Sequence, residues 1–159
     1  MEMEPMINRL FNKKTEQQLR GEFKTNRSRS LFLLYAAGCF KCKKYNKCLN
    51  FLLEIKNLDK GKMKSKTVIS TTFQFIELFS HLELGNIQII PSLLKSIQYA
   101  VDVKQNVFSE EENEIIRIIR SIIKKEPFTI DPLLYDDFGI TNHYKIFFPY
   151  LEEKQKELE

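Results

Sequence analysis

Apolar residues recur along most of this chain at intervals of three and four positions, which is the period of one face of an α-helix. The clearest example is the segment NIQIIPSLLKSIQYAVDV (86–103), and the same rhythm occurs over 45–55 and 115–122. No segment alternates apolar and polar residues with the period of two that a half-buried strand requires. The pattern therefore predicts an all-α chain.

The best-defined helix is predicted in SEEENEIIRIIRSIIKKEP (109–127). Ser109 and Glu112 have the spacing of a capping box, in which each side chain bonds to the other residue's backbone N–H. Acidic residues fill the first turn and two lysines end the helix before Pro127, and both placements complement the helix dipole. The sequence therefore predicts a helix over this segment.

Breaks between helices are marked by polar and glycine-containing segments. Gly85-Asn86 separates two helical patterns and predicts an antiparallel hairpin, with Pro91 in the first turn of its second helix. The segment 57–66 is expected to be a connection. Upstream, Thr15 and Gln18 form another potential capping box within a helical segment.

The C-terminal part of the chain, 127–159, holds three of the five prolines and is predicted to be less regular. Short helices are expected at about 131–138 and 142–158, the latter kinked or restarted at Pro149, with a frayed charged end. Aromatic residues in this part are expected to close one end of a helical stack: Phe128, Tyr135, Phe138, Tyr144, Phe147 and Phe148.

The segment RSLFLLYAAGCFKCKKYNKCLNFLLEIK (29–56) is predicted to form helix, turn and helix, and it resembles a tetratricopeptide repeat. Ala36 takes the small position of the first helix, Tyr45 the aromatic position after the turn, Cys48 the second small position and Leu52 the later large apolar one. Small residues let two helices approach closely, and the aromatic fills the gap toward the next hairpin.

A second unit repeats this turn about 42 residues later. Residues 85–87 take the place of 43–45, followed by Leu94 and Ile97. The spacing exceeds the usual period of about 34 residues. The resemblance covers roughly residues 29–105, and the ELGN turn is also similar to C-terminal regions of bacterial tetratricopeptide-like proteins with no assigned activity. Three residues depart from the repeat pattern: Glu77, Leu78 and His81.

The resemblance implies one helical-repeat domain over 1–159, built as a short α-solenoid of about three stacked antiparallel hairpins. It would comprise an N-terminal helical segment (1–25), the hairpins (26–126) and the aromatic-rich cap (127–159), and could end a longer array. It also implies a non-enzymatic scaffold whose groove, lined by first helices, binds a peptide or partner helix. The residues expected to face that groove are Phe40, Lys41, Phe79, Leu82 and Glu83.

Charge is distributed unevenly and suggests further partners. Residues 1–66 carry 16 Lys/Arg against 6 Asp/Glu, whereas residues 67–159 carry 9 against 15. The basic half could bind a phosphate backbone, an acidic protein or the acidic half of a second copy, or it could simply be solvated. Sequence-specific RNA recognition is disfavoured because no sheet presents stacking aromatics. The densest basic patch surrounds the first turn, with Phe40 and Tyr45 interleaved: Lys41, Lys43, Lys44 and Lys47.

All three cysteines lie within ten positions, Cys39, Cys42 and Cys48. Three thiolates would need a fourth zinc ligand, and both histidines, His81 and His143, lie far along the chain. A redox C-x-x-C pair would follow a strand, and none is predicted. We therefore expect reduced cysteines that pack as small apolar residues in the hairpin.

No recognised catalytic motif occurs, and no cofactor or metal is predicted. His81 and His143 are expected at the surface or at helix ends. A helix dipole accounts for the acidic run 110–114, and Asp136-Asp137 is an isolated pair. Apolar runs are far shorter than the ~20 residues of a membrane span, and the N-terminus lacks secretory features. We expect a cytoplasmic protein without membrane contact.

Overall fold

The structure, a computed structural model, describes residues 26–59, 68–102, 110–131 and 144–159. These residues form helices and turns without a strand, which confirms the all-α prediction. A 3-10 helix, Ile87–Ile89, precedes α4, and another, Tyr144–Phe147, precedes α6. The α-helices are α1 (Asn26–Lys41), α2 (Tyr45–Asp59), α3 (Val68–Glu83), α4 (Ile90–Asp102), α5 (Glu110–Lys124) and α6 (Phe148–Leu158).

Several predictions fall outside the described residues. They are the N-terminal segment 1–25 with its Thr15–Gln18 capping box, Ser109, most of the helix expected at 131–138, Asp136, Asp137 and His143. The predicted connection 57–66 is described only through Asp59, and there α2 continues as a helix. Its first three residues were therefore wrongly excluded from the helix.

The chain divides into two compact units, one ending at Ile97 and the other beginning at Gln98. In the first unit, α1, α2 and α3 pack against one another, with α1 and α2 in the closest contact. Ala36 of α1 and Cys48 of α2 are fully buried, as small residues at a close helix crossing should be. Large apolar residues complete this core: Phe40, Phe51, Leu52, Ile55, Phe75, Ile76, Leu78, Phe79, Ile90 and Ile97.

The hairpin predicted around Gly85-Asn86 is realised only in part. The chain does turn after α3, and Pro91 lies in the first turn of α4 as expected. Among the described residues, however, α3 approaches the 3-10 helix closely and shows no comparably close approach to α4. The stacked-hairpin arrangement and the single repeat domain stay predictions.

Three helices end in the same hydrogen-bonded motif. In α1, the N–H of Lys44 bonds to the Cys39 carbonyl (2.8 Å) and the N–H of Lys43 to the Phe40 carbonyl (2.9 Å). This is the Schellman pattern, in which one residue adopts a left-handed conformation. The left-handed residue is Lys43 in α1, Gly85 after α3 and Lys125 after α5, with φ of 56°, 71° and 58°.

In the second unit, α5 carries one continuous apolar face. Ile115, Ile118 and Ile119 are buried, which confirms the helix predicted over 109–127. Glu112, assigned to a capping box from the sequence, is buried, and its carboxylate accepts a hydrogen bond from the Tyr144 hydroxyl (2.7 Å). This bond joins α5 to the 3-10 helix before α6.

The segment after α5 is fastened to the helix by Arg117. Its guanidinium donates to both carboxylate oxygens of Glu114, at 2.7 and 2.5 Å, and to the carbonyl of Thr129 at 2.5 Å. The same Glu114 accepts the N–H of Asp131 at 3.3 Å. Phe128, between these bonds, is buried as expected for part of the aromatic cap.

The C-terminal helix restarts at a proline, as the sequence predicts. The 3-10 helix ends at Phe147, α6 begins at Phe148, and Pro149 occupies its first turn. The charged end, expected to fray, is helical through Leu158, and Lys154 pairs there with Glu157 at 2.7 Å.

No helix in the part of the chain described by the structure combines the length and the apolar character needed to cross a bilayer. The expected cytoplasmic location stays a prediction.

Candidate functional site

The five residues predicted to line a groove do not form one exposed surface. Phe40 and Phe79 are only 3% and 0% exposed, and their ring centroids lie 6.2 Å apart between α1 and α3. Lys41 is exposed, whereas Leu82 and Glu83 are half-buried. The two aromatic rings therefore hold the helices together and present no surface to a partner.

The predicted basic patch does lie on an accessible turn. Lys41, Lys43 and Lys47 are exposed and Lys44 is half-buried around the connection from α1 to α2. The aromatic Tyr45 packs edge-on against Phe40, with ring centroids 5.9 Å apart. Phe40 is thus buried in the first unit, and the turn displays its ammonium groups beside the half-buried ring of Tyr45.

Two lysines of this patch contrast in their ion pairing with Lys56, which lies further along α2. Neither Lys41 nor Lys47 forms an ion pair with any described residue, whereas Lys56 bonds both oxygens of Glu77 (2.6 and 2.8 Å). Lys47 also lies in the first turn of α2, where no acidic residue occurs. A cation at that end is opposed by the positive end of the helix dipole.

An open cleft with both apolar and polar lining residues lies beside the turn that follows α3. It has a volume of about 590 Å³ and includes the isoleucines Ile87 and Ile89, whose side chains are 50% and 40% exposed. The sequence pattern placed Ile87 on the buried face of the next helix, but α4 begins at Ile90. The remaining lining residues are His81, Gly85, Asn86 and Gln88.

His81 and Asn86 fix the wall of this cleft. The Asn86 N–H donates to the His81 carbonyl (2.9 Å), and the Asn86 side-chain nitrogen lies 3.1 Å from His81 Nδ1. An amide donor at that distance is satisfied by a neutral ring with Nδ1 as acceptor. Partial burial lowers the pKa of His81, which also favours the neutral ring.

The lysine patch and the cleft belong to the same end of the first unit. Phe40 is in the last turn of α1 and Phe79 is near the end of α3, so their contact sets the C-terminal ends of these helices side by side. Each helix then turns through its own Schellman motif, at Lys43 and Gly85. The lysine patch and the cleft therefore lie at the same end of the first unit.

Two of the three cysteines are buried with raised pKa values. Cys39 and Cys48 are fully buried, and burial raises the pKa of the Cys39 thiol to about 11 and that of Cys48 to about 12. Both therefore remain protonated near neutral pH, and a thiol is a much weaker nucleophile than a thiolate. Cys42 is half-buried. Within the described ranges no three His, Cys, Asp or Glu side chains group as metal ligands would.

Family models, curated proteins and solved structures give no significant match to this chain. The class that the structure defines is an α-helical protein with two compact units.

Proposed function

We propose that this protein is a non-enzymatic interaction scaffold that binds a peptide or a helix of a protein partner. The observation that carries the proposal is the cleft after α3, with two neighbouring isoleucines exposed at its rim. Its volume lies in the range of pockets that hold part of a ligand. An aliphatic rim beside a few polar groups suits an apolar side chain from a partner.

The cleft is held by backbone bonds before any partner arrives. The Schellman motif at Gly85 and the His81–Asn86 contacts fix its wall, and the 3-10 helix packs against α3. A preformed site avoids the entropic cost of ordering a loop on binding. Covering the two isoleucines would gain roughly 25 cal/mol for each Å² of apolar surface removed from water.

The tetratricopeptide-like architecture forms part of the same proposal. The two turns that the sequence alignment equates, 43–45 and 85–87, share one motif, with left-handed residues at Lys43 and Gly85. Such repetition suits a scaffold built from similar hairpins, although Schellman ends are common among helices generally. The predicted groove is accordingly relocated from the Phe40–Phe79 contact to the turn end of the unit.

The experiment is a capture from cytosolic extract with purified full-length protein, compared with the variant I87S/I89S. The variant L34S/L53S is the matched control, because Leu34 and Leu53 are exposed by 66% and 56% but do not line the cleft. We expect the native protein and the control to retain one protein set through high salt and nuclease treatment. Retention of the same set by I87S/I89S would contradict the proposal.

Nucleic-acid binding is the second candidate, and the exposed lysine turn is the observation that favours it. Phosphate contacts release counterions, so this binding weakens steeply with salt. Nucleic acid eluting from the captured protein at modest salt, with the native protein and I87S/I89S behaving alike, would favour this candidate over the first.

A further inference from the structure

We infer that the partner segment is acidic as well as apolar, with its apolar side chains in the cleft after α3 and its carboxylates on the lysine turn between α1 and α2. This inference rests on the proposed function and specifies the chemistry of the partner. The lysine turn comprises Lys41, Lys43, Lys44 and Lys47, and the cleft is the one rimmed by Ile87 and Ile89.

The lysine turn and the cleft lie at the same end of the first unit. The ring contact of Phe40 with Phe79 places the C-terminal ends of α1 and α3 together, so the lysine turn and the cleft occur at one end of a single unit. An amphipathic helix presents apolar residues along one stripe and charged residues beside it. Such a segment can contact a cleft with an aliphatic rim and a charged turn at once, which matches the helix-in-groove mode of recognition.

The charges of the lysine turn favour an acidic ligand. Lys41 and Lys47 have no carboxylate partner among the described residues, and both are exposed around one turn, so their charges can act together on one ligand. The local structure also disfavours cations there, because Lys44 gives the first helical carbonyl of α2 and Lys47 lies in its first turn. Helix starts favour Ser, Thr, Asp or Asn at the first of these positions and Glu at the second. An incoming carboxylate would offset the charge of Lys47 at this helix start.

The exposed side chains at this end of the unit favour an acidic peptide over a nucleic acid. Non-specific binding of single strands combines lysines with exposed aromatic rings on which bases stack. Here Phe40 is buried, Tyr45 packs against it, and the exposed apolar residues of this end are aliphatic. Aliphatic surface accommodates leucine or isoleucine side chains, so the combination favours a peptide.

The test uses the full chain and fluorescent 18-residue helix-forming probes, read by anisotropy. The acidic probe carries leucines at positions i, i+3, i+4 and i+7 with glutamates flanking them. One comparison probe replaces each glutamate by lysine, and a second replaces each leucine by alanine. An oligo(dT) of 18 nucleotides reports phosphate binding. We expect the acidic leucine probe to bind at least about tenfold more tightly than the other three.

Protein variants locate the binding. K41E/K47E should weaken the acidic probe about tenfold, since several exposed pairs each contribute a fraction of a kcal/mol. K124E/K156E makes the same change of net charge on exposed lysines of the second unit and should change affinity less than about twofold. I87S/I89S should weaken binding, and circular dichroism of every variant should match the native chain.

The outcomes distinguish this inference from the proposed function. Equal binding of the acidic and basic probes, or equal effects of the two charge variants, would overturn the acidic partner while loss of binding in I87S/I89S kept the scaffold. If I87S/I89S binds the probes as tightly as the native protein does and captures the same proteins from the extract, the proposed scaffold function itself is overturned. Tighter binding of oligo(dT) than of the acidic probe would overturn the peptide in favour of phosphate.

Discussion

Two lysines occupy a backbone conformation that glycine adopts more easily. Lys43 and Lys125 are left-handed residues at φ of 56° and 58°, and Gly85 has the same role at 71°. A side chain makes this conformation unfavourable by roughly 1–2 kcal/mol. The structure therefore carries local strain at two helix ends and avoids it at the third.

Replacing Lys125 with glycine should stabilise the protein by about 0.5–1 kcal/mol, because the strain removed exceeds the added entropy of the unfolded chain. Urea unfolding followed by circular dichroism measures the change. K124G is the matched control: Lys124 is the last residue of α5, and glycine there should not stabilise. Destabilisation by K125G would contradict the role assigned to the left-handed position.

The thiols should differ in reactivity. Cys39 and Cys48 are fully buried with raised pKa values, whereas Cys42 is half-buried at the turn. We expect a thiol reagent to modify at most one cysteine in the native protein at pH 8 and all three after unfolding. The variant C42S should then show no fast reaction. A fast reaction that survives in C42S would show that a buried thiol is accessible.

Acidification should weaken the cleft wall. Burial lowers the pKa of His81 below 6.5, so the unfolded chain takes up this proton at a higher pH than the folded chain does. The contribution of this histidine to stability is complete above about pH 6.5 and declines as the pH falls toward the folded pKa. NMR titration should give His81 the lowered value, and H81Q should remove its share of the pH dependence. A folded value above 6.5 would contradict this.

At the scale of elements, α5 and the segment behind it act together. Arg117 links Glu114 to the Thr129 carbonyl, and Glu114 receives the Asp131 N–H, so one charged pair holds the chain after the helix. Arg117 is about half exposed, which limits the ionic contribution to stability. Its larger effect is to keep the segment that follows α5 ordered.

The variant R117A should destabilise the protein by only about 0.5–1 kcal/mol. It should nevertheless accelerate hydrogen exchange at the Asp131 amide strongly, because that N–H depends on a carboxylate positioned by the arginine. R120A removes an exposed arginine from the same helix and should leave this amide unchanged. Equal hydrogen exchange at the Asp131 amide in both variants would show that the Arg117–Glu114 pair does not order the segment after α5.

Elements were predictable from the sequence where one local rule decided them. Helix α5 followed from its apolar period and terminal charges, and the restart at Pro149 from the missing N–H of proline. The 3-10 helix at Ile87–Ile89 was not predictable, because its isoleucines continue the helical period of α4. Exposure of those residues depends on where the turn ends, which periodicity does not encode.

The exposure of the predicted site residues could be foreseen only in part, for a similar reason. The lysine turn was identified because a run of charges at a turn must reach water. Phe40 and Phe79 were assigned to a groove, yet helical spacing does not distinguish the face that meets a neighbouring helix from the face that meets a partner. Their mutual contact depends on how α1 and α3 pack, a long-range property of the fold.

At the scale of the whole molecule, charge is the property that the sequence specifies most directly. The first 66 residues carry an excess of basic groups and the remainder an excess of acidic groups, with a net charge of +4. The basic part of one copy can therefore attract the acidic part of another, and such heterologous contacts need not close into a ring.

We expect weak self-association at about 10 mM salt that disappears near 300 mM, since the Debye length falls about fivefold over this range. Sedimentation velocity across protein concentrations measures it. K41E/K47E should reduce the low-salt association if the lysine turn contributes. Association that grows with salt would point instead to burial of apolar surface.

The same helix-ending motif occurs at Lys43 and at Gly85, so the two turns have equivalent backbone conformations. The segment after α3 closes its helix with the same backbone bonds but carries neither lysine. Grafting Gly85-Asn86 in place of Lys43-Lys44 would preserve the path of the chain and delete two cations. The backbone path and the charge of this turn therefore depend on different properties of its residues, so a mutation can change either one without the other.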